Sequence, residues 1–285
     1  MRPHAATSPG VAGVYLSVHT PRYCTYDAAF ANRLAHPDFQ AVRDGLVEQG
    51  HHVAGLAPDV IVINSCHLIT TFPTVVDGTP RHRGVLTAQE APELIHGVAY
   101  DFPGDFTLAA ALIERGGSQG LQCVLANDVH YPLDYGTVMP LVCYLDRAQR
   151  IPVVPVSVCL VASLDECFAW GRFVAETAGL LGRRAAFVAS GSVSHKLVRG
   201  PEQWPAAADQ ELDRRLAALL ADGRYDELWR WLPEYADGAE PEMGGRHLAM
   251  MLGALLGSGT RFAATVHAYG PSSGSGNYVI SMAGS

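Results

Sequence analysis

The segment Ala189-Ser190-Gly191-Ser192-Val193-Ser194-His195-Lys196 follows a short apolar run, Ala185 to Val188, and ends on a single imidazole. The apolar run reads as a buried strand, and the small residues after it bring the backbone to a tight bend at a sheet edge. Histidine has an ordinary pKa near neutrality, so His195 presented at the mouth of a fold suits proton transfer. The competing reading of the same residues is a Gly/Ser loop whose His caps a following helix.

Two other strand ends carry the same residue type. SVHTP at 17–21 and NSCHL at 64–68 each place a histidine after an apolar run. In open α/β sheets, ligand sites form outside the carboxyl ends of strands. Two imidazoles on one rim, joined by one carboxylate, make a facial triad that leaves open positions on Fe(II). The carboxylate candidates are Glu240 and Glu242, just ahead of an apolar stretch that begins near Met243. Asp134, Glu234 and Asp237 have less to recommend them. No spacing links His19 to His67, and capping or dipole roles account for such residues equally well at this level.

The elements that must position these residues alternate. Strands are expected at 11–18, 59–64, 121–126, 151–160, 185–189, 261–268 and 277–282. Helices are expected at 27–49, with Asp27 as N-cap and Gly50 as stop, and at 106–115, 163–181, 206–222, 225–232 and 243–256. A turn at Asp134 opens a short helix that runs to about Arg150, and residues 73–104, rich in Pro, Gly and His, read as a long irregular functional loop. The pattern predicts an α/β fold, a single domain with a mixed central sheet flanked by helices. Residues 1–10 read as a disordered lead-in, and 11–285 as the domain.

Composition narrows the function. Of 285 residues, 48% are hydrophobic and 17% charged, enough for a large core. A net charge of −8 argues against nucleic acid and anionic membranes as partners. No apolar run approaches the ~20 residues that span a bilayer, and residues 1–10 lack the apolar core of a signal peptide. The six cysteines show no CxxC spacing and read as buried reduced thiols of a cytoplasmic protein. No GxGxxG follows the first strand. The Gly/Ser stretch at 270–276 is like a phosphate loop in composition alone and opens no helix.

Taken in order, several blocks make the chain similar to a known family. They are His19-Thr20-Pro21, the strand into His67, Asp134-Tyr135-Gly136-Thr137 with Pro140, Ala189 to His195, Leu232-Pro233-Glu234-Tyr235-Ala236-Asp237, and Ser272-Ser273-Gly274-Ser275-Gly276. From about residue 14 to the C-terminus the chain resembles the class III extradiol ring-cleavage dioxygenases, above all their 3,4-dihydroxyphenylacetate (homoprotocatechuate) 2,3-dioxygenase branch.

The resemblance implies an Fe(2+) enzyme that inserts both atoms of O2 into a catechol, o-aminophenol or dihydroxypyridine ring and opens it beside the diol. It implies His19 and His67 as iron ligands. It implies Glu242 as the third, because that residue lies the family distance ahead of Met250-Met251-Leu252-Gly253; Glu240 breaks the spacing by two residues. His195 becomes the catalytic acid/base, and Tyr135 a lining residue of the substrate pocket, with Leu68, His247 and His130 as further candidate substrate contacts. The expected partners are a small aromatic substrate, O2 and further copies of the chain in a homodimer or larger assembly. Two departures stand out. Close relatives carry Trp where Leu68 stands, and Gly244-Gly245-Arg246-His247 differs from their pattern. Both imply a substrate other than plain 3,4-dihydroxyphenylacetate. A zinc-dependent hydrolase using the same donors, and a non-catalytic binding member of the fold, remain as alternatives.

Overall fold

Three apolar strands, β1 (Gly10–Ser17), β2 (Val60–Thr70) and β8 (Arg184–Ser190), lie side by side and parallel at the centre of an eight-stranded sheet. The computed structural model describes residues 10–24, 37–89, 92–145, 150–199 and 203–284. The sheet order is β6-β3-β7-β2-β8-β1-β10-β9, with β3 Thr74–Asp77, β6 Cys123–Ala126, β7 Val153–Cys159, β9 Phe262–Ser272 and β10 Ser275–Gly284. β10 is antiparallel to β1 and to β9, so the sheet is mixed. A separate antiparallel hairpin pairs β4 (Arg81–Leu86) with β5 (Val98–Pro103).

Successive side chains of a strand point to opposite faces, and both faces here are covered. Val60 and Val62 face one core with Phe187 and Leu16, while Ile61 and Ile63 face the other with Val188 and Tyr15. That is why these strands read as unbroken apolar runs. The first core is completed by α2 (Phe106–Ser118), α4 (Leu164–Leu180), α5 (Ala207–Ala221), α6 (Tyr225–Ala239) and α7 (Arg246–Gly257). The second is completed by α1 (Pro37–Leu56), α3 (Tyr135–Met139), the π-helical turn Pro140–Leu145 and the β4–β5 hairpin. Among the described residues there are seven α-helices, and none is long and apolar enough to cross a membrane.

Several expectations are corrected. Residues 73–104 are not an irregular loop: they hold β3, β4 and β5. Their short strands alternate in burial, and the Pro, Gly and His residues sit largely at strand ends and connections. Gly50 does not stop α1. The helix runs to Leu56 because Gly50 and Val53 are buried, and Gln49 donates to the Leu16 and Ile280 carbonyls. It ends where Ala57 turns left-handed (φ 47°) ahead of Pro58. The expected N-cap Asp27 lies outside the described residues. Likewise α6 continues through Pro233 to Ala239, because burial of Tyr235 and Ala239 outweighs the lost N–H. α7 starts at Arg246 rather than 243, since Met243, Gly244 and Gly245 are all left-handed. The Gly/Ser stretch is a hairpin: Ser273 (φ 49°) and Gly274 (φ 83°) make the two-residue turn between β9 and β10. β1 begins at Gly10, inside the expected lead-in.

Helices α4 and α7 cross at van der Waals contact. A Cβ built on Gly253 would sit 2.0 Å from the Phe168 carbonyl oxygen, whereas one on Gly117 in α2 would meet nothing within 4 Å. Gly253→Ala is therefore expected to lose roughly 1–3 kcal/mol in chemical denaturation. Gly117→Ala should gain about 0.5–1 kcal/mol from helix propensity. Equal effects of the two would contradict the crossing geometry.

Candidate metal centre

The three central strands deliver side chains to one rim by three different devices. Beyond β1, the chain carries Val18 inward and His19 onto the rim before Thr20-Pro21 turns it away. β2 instead bulges. Its pairing with β7 jumps from Ser65↔Ser157 to Ile69↔Val158, so Cys66, His67 and Leu68 have no opposite number. A bulge re-aims side chains that strict alternation would place elsewhere. The His67 amide donates to Ser65 Oγ at 3.1 Å, which holds the bulge. The third device is the exit of α6. Glu240 is its left-handed cap (φ 47°), and the short strand-like bridge of Ser194 to Pro241 brings the next residue, Glu242, against the end of β8.

His19 Nε2 lies 3.4 Å from Glu242 Oε1, and His67 Nε2 lies 3.2 Å from the same oxygen. His19 is 3% exposed, Glu242 2% and His67 22%. The three ligand atoms lie within 4.8 Å of one another. Donors that share one first-row ion at about 2.0–2.2 Å sit some 3–3.5 Å apart, so the two imidazole–carboxylate distances suit a single divalent metal. Among the described residues His19, His67 and Glu242 are the one group of three His, Cys, Asp or Glu side chains that could hold a metal ion. Glu240 is elsewhere: its side chain is 68% exposed and lies 4.0 Å from Lys196 Nζ.

His19 and Glu242 are each held from behind. Ser190 Oγ donates to the Gly136 carbonyl (2.7 Å), so it accepts from His19 Nδ1 (2.9 Å) and turns Nε2 toward the site, the nitrogen that would give its lone pair to a metal. Gly136 has to be glycine, because a Cβ there would lie 2.3 Å from Ser65 Oγ and 3.3 Å from His19 Nδ1. Glu242 Oε2 accepts from the Ser192 amide at 2.7 Å, which turns Oε1 to the two histidines. Burial works to raise the Glu242 carboxyl, but the His19 charge and hydrogen bonds with His19 and His67 hold it well below the usual range. The Tyr135 hydroxyl bonds His67 Nε2 at 2.6 Å.

A cavity of about 640 Å³ opens on the three residues, and His195 and Tyr135 line it with them. Burial pushes the His195 imidazole below its ordinary pKa, helped by the neighbouring His19 and His67 and opposed by Glu242. Its Nδ1 is buried without a hydrogen-bond partner, and the residue lines the cavity. The other candidate contacts lie elsewhere. Leu68 is buried and outside the cavity lining. His247 is fully buried beside Gly191 and Cys66, without a well-formed hydrogen bond, and burial pushes it down to about 4. His130 is exposed and does not reach the cavity. Cys24, Cys66, Cys159 and Cys167 are buried free thiols and Cys123 is half-buried.

Sequence reading missed the residue that holds the His195 loop. Asp213, fully buried in α5, accepts from the Ser194 amide and hydroxyl and from the Tyr235 and Tyr269 hydroxyls. Burial raises its carboxyl while those donors pull it back. Its signal was a pair of acids four apart, Asp209 and Asp213, on the face of α5 that buries Leu216 and Leu220. Asn277 plays a matching part: its Oδ1 accepts from Thr20 and Ser192, tying the His19 turn to the β8 exit.

A family model described as the catalytic LigB subunit of aromatic ring-opening dioxygenase matches residues 14–280. The chain is 26% identical over 225 residues to 3,4-dihydroxyphenylacetate 2,3-dioxygenase of Escherichia coli, covering 76% of this chain and 81% of that one. It is 28% identical over 242 residues to the 2-aminophenol 1,6-dioxygenase beta subunit of a Pseudomonas species, with 79% and 78% covered. The alpha subunit of that enzyme is 26% identical over 239 residues, with 81% and 86% covered. The crystal structure of an uncharacterized Escherichia coli K12 protein superposes with a TM-score of 0.65 over 95% of this chain and 99% of its own, at 19% identity, and so shares the fold.

Removing the Asp213 carboxylate strands four donors, whereas removing one tyrosine hydroxyl strands none. Asp213→Ala is expected to cost about 3 kcal/mol or more in denaturant titration, and Tyr235→Phe only about 1 kcal/mol. Comparable losses would remove Asp213 from the centre of this network.

Proposed function

The chain belongs to the family of catalytic LigB subunits of aromatic ring-opening dioxygenases, and on that premise we propose that it is an Fe(II)-dependent extradiol dioxygenase acting on a catechol-type ring. The ring is a catechol, an o-aminophenol or a dihydroxypyridine. One observation carries this reading: two imidazole Nε2 atoms converge on a single buried carboxylate oxygen at the rim of a cavity large enough for an aromatic ring. The reading takes His19, His67 and Glu242 as the metal ligands. When bound, the metal supplies open positions for two adjacent ring oxygens and for O2, and it acidifies a coordinated hydroxyl.

The chain's own residues then have distinct tasks. Ser190 keeps His19 in the tautomer whose Nε2 can donate a lone pair. The Ser192 amide fixes the Glu242 carboxylate, so that metal loading does not have to order it. His195 is neutral near pH 7, because burial, with His19 and His67, lowers its pKa against the pull of Glu242. A neutral Nε2 takes the proton released by the ring hydroxyl and holds it within the cavity, ready to return it to oxygen as the ring opens. Both atoms of O2 enter one organic molecule, so no external reductant is consumed. The two relatives named for their substrates act on an acid-bearing ring and on a neutral one, and similarity at 26–28% does not choose between them.

The test is anaerobic reconstitution with Fe(II), then a substrate panel read by O2 uptake and by the yellow ring-fission product. Glu242→Ala is expected to lose metal retention and activity together, and Glu240→Ala to keep both. Hydrolytic turnover by a zinc-loaded form, with no O2 uptake by the iron form, would overturn the proposal. His195→Ala should hold its metal and lose about 10²–10⁴-fold in rate. The lowered His195 pKa also sets the sign of the pH response. Below that pKa the imidazole is charged and cannot accept, so kcat/KM should hold at pH 6.5 and fall only in more acid solution. A fall that begins well above pH 6.5 would assign the acid limb to another group.

A further inference from the structure

We infer that the ring substrate carries an ionised carboxylate, and that Arg22 and Arg199 read it. The inference rests on the ring-cleavage reading of the cavity and names the class of ring that the cavity selects. Both arginines line that cavity, and both come from the segments that carry the chemistry. Arg22 lies in the turn directly after His19-Thr20-Pro21, and Arg199 on the stretch that follows His195. Neither guanidinium has an ion pair or a hydrogen bond among the described residues. Many of the other arginines are taken: Arg81 by Asp101, Arg115 and Arg172 by Glu176, Arg183 by Asp105 and Arg224 by Glu227.

The charge of the lining runs against that of the chain. The protein carries a net −8, yet the cavity presents two arginines and one acid. That acid, Glu242, is committed to the Ser192 amide and the two histidines. Two cationic forks left open over a cavity are the arrangement that binds a planar anion in bidentate fashion. Leu94, Leu197 and Val198 supply apolar wall on the same cavity for the body of the ring. A neutral ring would leave both guanidinium groups to water and use only the apolar wall. An acid-bearing ring uses both.

The test uses pairs that differ only in charge: 3,4-dihydroxyphenylacetate against its primary amide, and 3,4-dihydroxybenzoate against its primary amide. Dissociation constants are measured by calorimetry on the full-length metal-loaded protein without O2, and KM is then measured in air. The wild type should bind one or both acids roughly ten- to a hundredfold more tightly than the matching amide, the span expected for a hydrogen bond to a charged group. Arg22→Gln and Arg199→Gln should each weaken the acid several-fold and leave the amide unchanged, and the double variant should abolish the preference. Both side chains are partly or fully exposed, and unchanged melting temperatures would verify that the variants fold. Equal binding of acid and amide by the wild type overturns the inference, as does weakening of both by the Gln variants. Ring opening that is equally efficient on acids and amides would sink the inference and leave the dioxygenase reading standing. Arginine-dependent preference for acids without any ring opening would do the reverse.

Discussion

A carboxylate that is 2% exposed has to be answered by its surroundings, and the architecture around Glu242 is built on that requirement. One oxygen takes the Ser192 amide and the other faces His19 and His67. The two imidazoles keep the group ionised in a place where burial alone would neutralise it, and the peptide donor fixes its orientation. The same arrangement turns the lone pairs of three donors toward one point. Stability and the proposed metal chemistry thus make the same demand here, and the demand fixes the relative positions of the β1 exit, the β2 bulge, the β8 exit and the end of α6.

Those four segments are not held by His19, His67 and Glu242 alone. Asp213 grips the β8 exit through Ser194, α6 through Tyr235 and β9 through Tyr269. Asn277 grips the β1 exit through Thr20 and the β8 exit through Ser192. Asp134 caps α3 by accepting from the Thr137 amide, and it takes the Ser65 hydroxyl, so the β2 bulge and the Tyr135 helix move as one. Each anchor is a buried polar group with its partners supplied, a device that specifies one arrangement over near alternatives. The small residues of the sequence blocks follow from this crowding, as Gly136 shows beside His19 and Ser65.

Much of the fold was legible because the central strands are buried on both faces and read as short apolar runs between helical patterns. The site was legible in part. Strand-end histidines were visible, but His19 and His67 became a pair only through family resemblance, since no spacing in one chain reports that two strands are neighbours. The β2 bulge was invisible, because its residues look like an ordinary strand end. Glu242 could be told from Glu240 by family spacing; physically they differ because a left-handed cap at Glu240 sends one outward to Lys196 and the other inward. The hairpin β4–β5 hid in a stretch whose Pro, Gly and His content imitates a loop. Asp213 was overlooked because a charged residue on an amphipathic helix reads as solvated, although Asp209 and Asp213 stand on the buried face of α5. His247 and Leu68 were read as substrate contacts from their departures from relatives, and both pack away from the cavity.

The central claim is that His19, His67 and Glu242 form one metal centre at which O2, rather than water, supplies the oxygen that enters the ring. Turnover of a catechol acid by the iron-loaded protein under ¹⁸O-labelled O2, followed by mass spectrometry of the product, asks this directly. Both labelled atoms are expected in the ring-opened product, after allowance for exchange of any aldehyde oxygen with solvent. Product whose new oxygen comes only from unlabelled water, with the labelled O2 left unconsumed, would contradict the claim and return the site to metal-assisted hydrolysis.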